Sequence, residues 1–123
     1  MSKTILIVED NENNMMLVRD VLEMKGYGVL AATTGLEGVR LALAGKPDLI
    51  LMDIQLPDID GITAFKQIRA GETAKQVPIL AVSASAMQEE QVKIAASGFE
   101  AYITKPLNMK SFVETVEKFI GKA

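Results

Sequence analysis

The sequence of 123 residues contains no cysteine and no histidine. Without these side chains the chain has no disulfides, no thiolate or imidazole ligands for zinc or iron, and no Ser-His or Cys-His nucleophile pair. Any chemistry must therefore use carboxylates, hydroxyls and amines. A bound metal would be a hard cation held by oxygen, which limits the choice to magnesium, manganese or calcium.

Long apolar runs and an excess of positive charge are also absent. No segment is long enough to span a bilayer, and the N-terminal "MSKTILIVED" lacks the apolar core and the cleavage site of a signal peptide. The net charge is −3 and the basic residues are scattered, which does not fit a nucleic-acid-binding face. We expect a cytoplasmic protein that binds neither nucleic acid nor membrane.

Short apolar segments alternate with segments of helical period along the whole chain. Because these apolar segments are nearly continuous in hydrophobicity, they are typical of strands covered on both faces. A strict β-α alternation of five units favours an α/β fold with an open, doubly wound, five-stranded parallel sheet, (βα)5, in one domain. The predicted strands are Thr4–Val8, Gly28–Ala32, Leu49–Met52, Pro78–Ser83 and Ala101–Thr104.

The helical segments carry apolar residues at the spacing of one helix face, together with capping residues. Thr34 and Glu37 fit a capping box, Gly98 can end the fourth helix, and Asn108 can begin the fifth. The predicted inward-facing residues, helix by helix, are Leu17, Val18, Val21 and Leu22; Leu36, Val39 and Leu43; Ile62, Phe65 and Ile68; Val92, Ala95 and Ala96; and Met109, Phe112, Val113, Val116, Phe119 and Ile120.

Polar side chains stand at the carboxyl ends of four of the five predicted strands. In open parallel sheets this edge holds the ligand site, where the strand order reverses. Each residue also has a structural interpretation, since Asp10 or Ser83 can cap a helix, Asp53 can serve a turn before Pro57, and a lone Lys105 can be a solvated charge. Four such caps arising independently explain the joint placement poorly. The residues concerned are Glu9, Asp10, Asp53, Ser83 and Lys105.

Carboxylates held close together repel each other unless a cation joins them. Magnesium suits such a cluster, because it takes one or two carboxylates together with water and phosphate oxygens. A carboxylate beside magnesium can attack a phosphoryl donor and form an aspartyl phosphate. Lys105 would then offset charge on the transferred group, and the Ser83 hydroxyl would donate to one of its oxygens.

Other classes of protein use related residues. A magnesium-dependent phosphohydrolase with an aspartate nucleophile would place a second acid two residues after Asp53, where this chain has Gln55. A nuclease would pair Glu9 with Asp58 and Asp60, but these two follow Pro57 in a predicted loop and are expected to be solvated. A flavin carrier lacks its phosphate loop here, and a purely structural binding module would not need the cluster.

The motifs together resemble the response-regulator receiver family, the phosphoacceptor modules of two-component signalling. The resemblance covers the whole chain and rests on "LIVEDN", "LILMDIQLPDIDG", "AVSA" and "YITKP". It implies a flavodoxin-like sheet of strand order 2-1-3-4-5 and a single receiver domain over residues 1–123 with no output domain. Within the family the chain is most similar to stand-alone cell-division regulators of the DivK type.

The resemblance also implies a role for each site residue. Asp53 would be phosphorylated, and Mg²⁺ or Mn²⁺ would be held by Glu9, Asp10, Asp53 and the main-chain carbonyl of Gln55. Ser83 would be the switch hydroxyl and Lys105 the phosphate-contacting lysine, in a cis peptide bond with Pro106. Tyr102 would be the rotating aromatic residue. Gln55 and Ser85 would tune dephosphorylation. Such a domain catalyses its own phosphorylation and dephosphorylation but is not a turnover enzyme.

The implied partners are proteins. A sensor histidine kinase, a histidine phosphotransfer protein or both would supply the phosphoryl group. Met15 and Met16 are candidates for the kinase-docking surface, since methionine suits adaptable interfaces, and the alternative for at least one of them is core filling. A downstream protein would bind the face formed by the fourth helix, the fifth strand and the fifth helix. Ile94 lies off the predicted inward stripe of the fourth helix, so we expect it to contribute to this exposed partner face.

Overall fold

In a computed structural model, which describes residues 3–71, 76–84 and 88–123, five strands and five helices alternate. The strands match the sequence prediction closely: the third extends one residue further, through Asp53, and the fourth begins at Ile79 rather than Pro78. The elements are β1 (Thr4–Val8), α1 (Glu12–Met24), β2 (Gly28–Ala32), α2 (Gly35–Gly45), β3 (Leu49–Asp53), α3 (Gly61–Ala70), β4 (Ile79–Ser83), α4 (Gln88–Ser97), β5 (Ala101–Thr104) and α5 (Met109–Ile120).

All strand pairs are parallel, and the sheet order is β2-β1-β3-β4-β5, which confirms the predicted topology. The residues of the central strands are buried on both faces because helices cover both sides of the sheet. Ile5 and Ile7 of β1 face a core built with α1 and α5, whereas Leu6 and Val8 face a second core built with α2 and α3. Because the strands are parallel, their carboxyl ends lie at the same edge of the sheet.

Helix α1 begins at Asn11, whose side chain accepts a hydrogen bond from the N–H of Asn14. The buried residues of this helix are Met15, Val18 and Leu22, which are three and four residues apart and so lie on one face. Leu17 was expected on the inward face, but it is 50% exposed because it lies a quarter turn from Val18. Met15 lies in the core, which agrees with the core-filling alternative for one of the two methionines and rules out a docking role for Met15.

Helix α2 packs unusually closely against β1. A Cβ atom at Gly38 would lie 2.7 Å from Cγ2 of Val8, so only glycine allows this approach. The helix is capped by Thr34, whose hydroxyl accepts from the N–H of Glu37 at 3.1 Å, in agreement with the capping prediction. Leu36 is 56% exposed rather than inward, since Gly35, Gly38 and Ala42 form the buried face.

Helix α4 is rotated relative to the sequence prediction. Ile94 is 1% exposed and packs with Ile54 and Ala81, whereas Val92 is 60% exposed. Ala95 and Ala96 are also exposed, so the predicted inward stripe is wrong and Ile94 is not a surface residue of a partner face. The physical reason is that one isoleucine removes more apolar surface from water than two alanines do.

Among the described residues, no helix has the length and the apolar character needed to cross a membrane.

Candidate functional site

The predicted polar residues lie together at the carboxyl edge of the sheet. Strands β1 and β3 are neighbours there, and the chain order reverses between them, because β2 lies on one side of β1 and the later strands on the other. An open cleft of about 590 Å³ lies at this edge. It is lined by Glu9, Asp10, Asp53, Gln55 and Lys105, together with Asn11, Asn14, Ala84 and Glu90. The cleft therefore occupies the position at which open α/β sheets bind ligands.

Asp53 is the last residue of β3 and is only 2% exposed. Its Oδ2 accepts a hydrogen bond from Nζ of Lys105 at 2.9 Å, and its Oδ1 accepts one from the backbone N–H of Gln55 at 3.0 Å. Both oxygens of the buried carboxylate therefore have a donor, and these two bonds offset part of the cost of burying its charge.

Glu9 follows β1 and is also buried. Its Oε1 lies 2.8 Å from Nζ of Lys105, and its Oε2 accepts a hydrogen bond from the backbone N–H of Asn11 at 3.1 Å. The backbone of Glu9 still belongs to the sheet, since its N–H donates to the carbonyl of Ala32 at 3.0 Å. One lysine therefore bridges two buried carboxylates.

Lys105 reaches these carboxylates from the loop after β5. Its backbone N–H donates to the carbonyl of Ser83 at 2.9 Å, which ties the start of the loop to the end of β4. The peptide bond between Lys105 and Pro106 is cis, as the resemblance implies.

Asp10 completes an acidic cluster. One carboxylate oxygen each from Glu9, Asp10 and Asp53 can be chosen so that all three lie within 4.8 Å of one another. Asp10 is exposed, and the cap of α1 is Asn11, so the interpretation of Asp10 as that helix cap is wrong. Three carboxylates with room for water in an open cleft form a donor set of hard oxygens, which fits a divalent cation such as Mg²⁺.

The site perturbs the pKa values of its charged groups. Burial and the hydrogen bond with Glu9 raise the pKa of Asp53 to about 6, although Lys105 opposes the shift. Burial also favours protonation of Glu9, but its bonds to Lys105 and Asp53 outweigh burial and lower the pKa of Glu9. The pKa of Lys105 is raised, because its bonds to both carboxylates outweigh the effect of its burial. The two buried carboxyls therefore titrate as a coupled pair, and burial disfavours the state in which both are ionised.

Ser83, the last residue of β4, is fully buried and contacts two residues above the cleft. Its Oγ accepts from Nε2 of Gln55 at 2.9 Å and lies 3.2 Å from Oε1 of Gln55 and 3.2 Å from Oε1 of Glu90. Nε2 of Gln55 also donates to Oε1 of Glu90. Glu90 was not predicted as a site residue, because its approach depends on how α4 is placed after β4. Ser85 lies outside the described residues.

Tyr102 is on β5, opposite Ala81 of β4. It is partly buried against Ile94 and borders a cavity of about 260 Å³ between α4 and β5. Phe99 lines the same cavity. An aromatic ring therefore stands beside open space at the boundary between β5 and α4.

Asp58 and Asp60 are structural residues rather than ligands. The Asp58 carboxylate accepts from the N–H groups of Gly35 and Leu36 at 2.8 and 2.9 Å, and these bonds lower its pKa. Asp60 caps α3 by accepting from the N–H of Thr63 at 2.7 Å. An aspartate directly before a helical segment is a local signal for an N-cap, and Asp60 has this signal. No local signal pairs Asp58 with α2.

Comparison with known proteins agrees with this geometry. Residues 5–117 match the family described as the response regulator receiver domain. The polar-differentiation response regulator DivK of Brucella ovis is 44% identical over 123 residues, which is the full length of both chains.

Solved structures give the same result. The receiver domain of a sensor histidine kinase from Pseudomonas aeruginosa, crystallised with magnesium in its active-site cleft, is 34% identical with a TM-score of 0.91, over 99% of this chain and 100% of that one. Vibrio cholerae CheY4, a chemotaxis protein, is 25% identical with a TM-score of 0.90, over 97% of this chain and 99% of that one. Because the family model matches residues 5–117 and a full-length relative is 44% identical, the chain belongs to the response regulator receiver family, whose function is phosphorelay in two-component signalling.

Proposed function

We propose that Asp53 accepts a phosphoryl group from a phosphohistidine donor. The observation that carries this proposal is the buried Asp53 carboxylate, which faces an open cleft between Glu9, Asp10 and Lys105. Lys105 stabilises the ionised form of Asp53, so the nucleophile needs no general base. The other two acids are placed to share a cation with it.

The three clustered carboxylates of Glu9, Asp10 and Asp53 support a divalent cation, and we assign the main-chain carbonyl of Gln55 to it as a further ligand. Mg²⁺ is the first choice, and Mn²⁺ would satisfy the same oxygens. Once bound, the ion would offset negative charge on the carboxylates and on the transferred phosphoryl group.

In the proposed transfer, an oxygen of Asp53 forms a bond to phosphorus while the bond between phosphorus and the histidine nitrogen breaks. The nitrogen leaves with the electron pair of that bond and takes up a proton from water. Lys105 holds its ammonium next to the accepting carboxylate throughout, at 2.9 Å in this structure. The Ser83 hydroxyl, which is near Asp53 at the end of the neighbouring strand, would donate to a phosphoryl oxygen.

The phosphoryl group adds about 1.5 to 2 negative charges, which can bias a two-state element. Movement of Ser83 toward it would open space next to Tyr102, whose ring already borders the cavity between α4 and β5. The surface formed by α4, β5 and α5 would change and bind a downstream protein. Val92, which is exposed on α4, replaces Ile94 as the apolar residue that we assign to this surface.

This proposed switch is tested by backbone amide NMR of the magnesium-bound protein before and after addition of beryllofluoride, a phosphoryl mimic. We expect shift changes to extend from the cleft across α4, β5 and α5. Changes confined to residues that contact the ligand would contradict the switch, although phosphorylation itself would still stand.

The donor protein is proposed to approach over α1. Leu17 is 50% exposed and lines a mostly apolar groove of about 310 Å³ with Lys105, Pro106 and Leu107, and Met16 is exposed on the same helix. A histidine kinase or a histidine phosphotransfer protein seated there would lie beside the cleft. Because the kinase forms phosphohistidine from cytoplasmic ATP, the transfer would take place in the cytoplasm.

A charge in this groove separates docking from chemistry. Leu17→Asp should slow transfer from a phosphohistidine protein at least about tenfold, as expected when an apolar contact is replaced by a buried charge. It should leave labelling by a small-molecule phosphodonor unchanged, because Leu17 does not contact Asp53. Equal effects on both reactions, or on neither, would contradict this docking surface.

The acceptor role is tested by incubation with acetyl phosphate, with Mg²⁺ or with EDTA, followed by intact mass measurement. We expect one acid-stable, base-labile phosphoryl group in the presence of Mg²⁺ and none in Asp53→Asn. Asp60→Asn is the matched control, since asparagine caps a helix as well as aspartate does, and it should be labelled normally. No adduct in any condition would favour a binding module, and sustained phosphate release from an ester would favour a hydrolase.

A further inference from the structure

Glu90 forms a small polar cluster with Ser83 and Gln55 at the cleft, and the proposed transfer gives Glu90 no role. We define the Glu90 latch as the contacts among Ser83, Gln55 and Glu90, which connect the end of β4, the loop after β3 and the first turn of α4. Each contact joins side chains that are far apart in sequence or on different elements. We propose that Glu90 holds the Ser83 hydroxyl away from the phosphoryl position, so that phosphorylation must displace it. This inference rests on the proposed role of Asp53.

The hydrogen-bond pattern assigns the hydroxyl proton of Ser83. A serine hydroxyl has one hydrogen, and two oxygens lie 3.2 Å from it, Oε1 of Gln55 and Oε1 of Glu90. Gln55 already donates to Ser83 through Nε2 of the same amide group. The charged carboxylate is the stronger acceptor, because hydrogen bonds to ionised groups are about twice as strong as neutral ones. Of these two oxygens, that of Glu90 is therefore the favoured acceptor.

A phosphoryl group on Asp53 would compete for this proton. Ser83 ends the strand next to that of Asp53, and both residues are buried at the same sheet edge. The hydroxyl cannot donate its one hydrogen to Glu90 and to a phosphoryl oxygen at the same time. The Glu90 carboxylate borders the same cleft, so its charge would also repel the incoming group.

Breaking the latch would act on α4 directly. Glu90 lies in the first turn of α4, and Ile94, one turn later, is the buried residue that anchors this helix to Ile54 and Ala81. Loss of the Ser83 contact would release the N-terminal turn of α4 while Ile94 keeps the helix packed. Glu90 is thus a positioning residue that couples the state of the site to α4.

Titration with beryllofluoride at a fixed Mg²⁺ concentration tests the latch, with the dissociation constant measured by NMR of backbone amides. Glu90→Gln and Glu90→Ala should bind the mimic about threefold to thirtyfold more tightly than the wild type, the range expected when a charge-assisted bond is lost from the competing state. Glu89→Gln is the matched control. It removes the same charge from an exposed residue in the same helical turn, and it should change affinity by less than about twofold.

A second variant separates the latch from general repulsion. In a Ser83→Ala background there is no hydroxyl to hold, so Glu90→Gln should increase affinity less than it does in the wild-type background, keeping only the part that comes from removing a repelling charge. Equal gains in both backgrounds, or no gain in either Glu90 variant, would overturn the latch and leave the acceptor role of Asp53 intact. Failure of the wild type to bind the mimic would instead overturn the acceptor role and the latch together.

Discussion

At the scale of single residues, the site depends on a lysine placed between two buried carboxylates. Nζ of Lys105 lies 2.8 Å from Glu9 and 2.9 Å from Asp53, and the two acids are 6% and 2% exposed. Burial penalises each charge, whereas the ion pairs offset part of that penalty. Burial raises the pKa of Asp53 in spite of Lys105, as expected where one lysine is shared by two buried carboxylates. A site prepared for a divalent ion should have this imbalance.

The raised pKa of Asp53 predicts how its stability contribution depends on pH. At pH 4 the folded carboxyl is protonated and the unfolded one is only about half ionised, so Asp53→Asn should lie within about 0.5 kcal/mol of the wild type. As pH rises to about 6, the unfolded carboxyl ionises before the folded one and the wild type loses stability. Without divalent cations, Asp53→Asn should therefore be more stable above this range by about 1–3 kcal/mol.

Urea unfolding at pH 4 and pH 7.5 in EDTA measures this difference. Asp60→Asn, which keeps its helix cap, should show no such pH-dependent gain. Added Mg²⁺ should stabilise the wild type more than Asp53→Asn. A variant that is less stable than the wild type at pH 7.5 in EDTA would show that Lys105 fully compensates Asp53, against this account.

Removal of the lysine should have the opposite effect on stability. Lys105→Ala leaves Glu9 and Asp53 facing each other without a cation, and breaking a buried ion pair in this way costs about 3–5 kcal/mol. Mg²⁺ should restore a large part of this loss, because it supplies positive charge to the same oxygens. Denaturation of Lys105→Ala with and without Mg²⁺ measures the effect, and Lys110→Ala, an exposed lysine on α5, is the control. A loss in Lys105→Ala no larger than that in Lys110→Ala would contradict the bridging role.

At the scale of secondary-structure elements, sequence predicted the strands better than the helix orientations. Each strand is a short apolar run, and four of the five have a polar residue at the end, so their bounds were predicted to within one residue. Helix α4 has few apolar residues. The spacing of Val92, Ala95 and Ala96 predicted one inward face, but the buried residue is Ile94, on a different face. Burial of Ile94 against Ile54 and Ala81 is a tertiary contact that local spacing does not encode.

The same distinction applies to the candidate site. The acidic cluster and Lys105 were predictable, because the carboxyl ends of parallel strands must meet at one edge. Glu90 was not, since its contact with Ser83 depends on how α4 returns to the sheet. Asp58 was also missed as a cap, because it accepts from the first N–H groups of α2, more than 20 residues earlier in the chain.

The corrected orientation of α4 gives a direct comparison of two apolar residues. Ile94→Ala should reduce the free energy of unfolding by about 2–4 kcal/mol, because it leaves a cavity in a fully buried cluster. Val92→Ala, at a residue that is 60% exposed, should change it by less than about 0.5 kcal/mol. Thermal and urea unfolding of both variants measure the difference. Similar losses in the two variants would contradict the helix orientation.

At the scale of the whole molecule, the proposed phosphoacceptor site lies at one edge of the sheet, and the proposed partner-binding surface lies on an adjacent face. Strands β1 and β3 hold the acids, while β4 and β5 connect the site to α4 and to the cavity beside Tyr102. The two cores on either side of the sheet fix the strand ends, so the cleft is organised by the fold as a whole. A local change of charge at Asp53 can therefore reach a surface that the phosphoryl group does not touch.

The most direct test of the central claim is the identity of the phosphorylated residue. Borohydride reduction after treatment with acetyl phosphate and Mg²⁺ converts an aspartyl phosphate to homoserine, which peptide mass spectrometry locates. We predict homoserine at position 53 alone, and none when Mg²⁺ is removed or in Asp53→Asn. Homoserine at position 10 instead, or unmodified peptides throughout, would contradict the assignment of Asp53 as the phosphoacceptor.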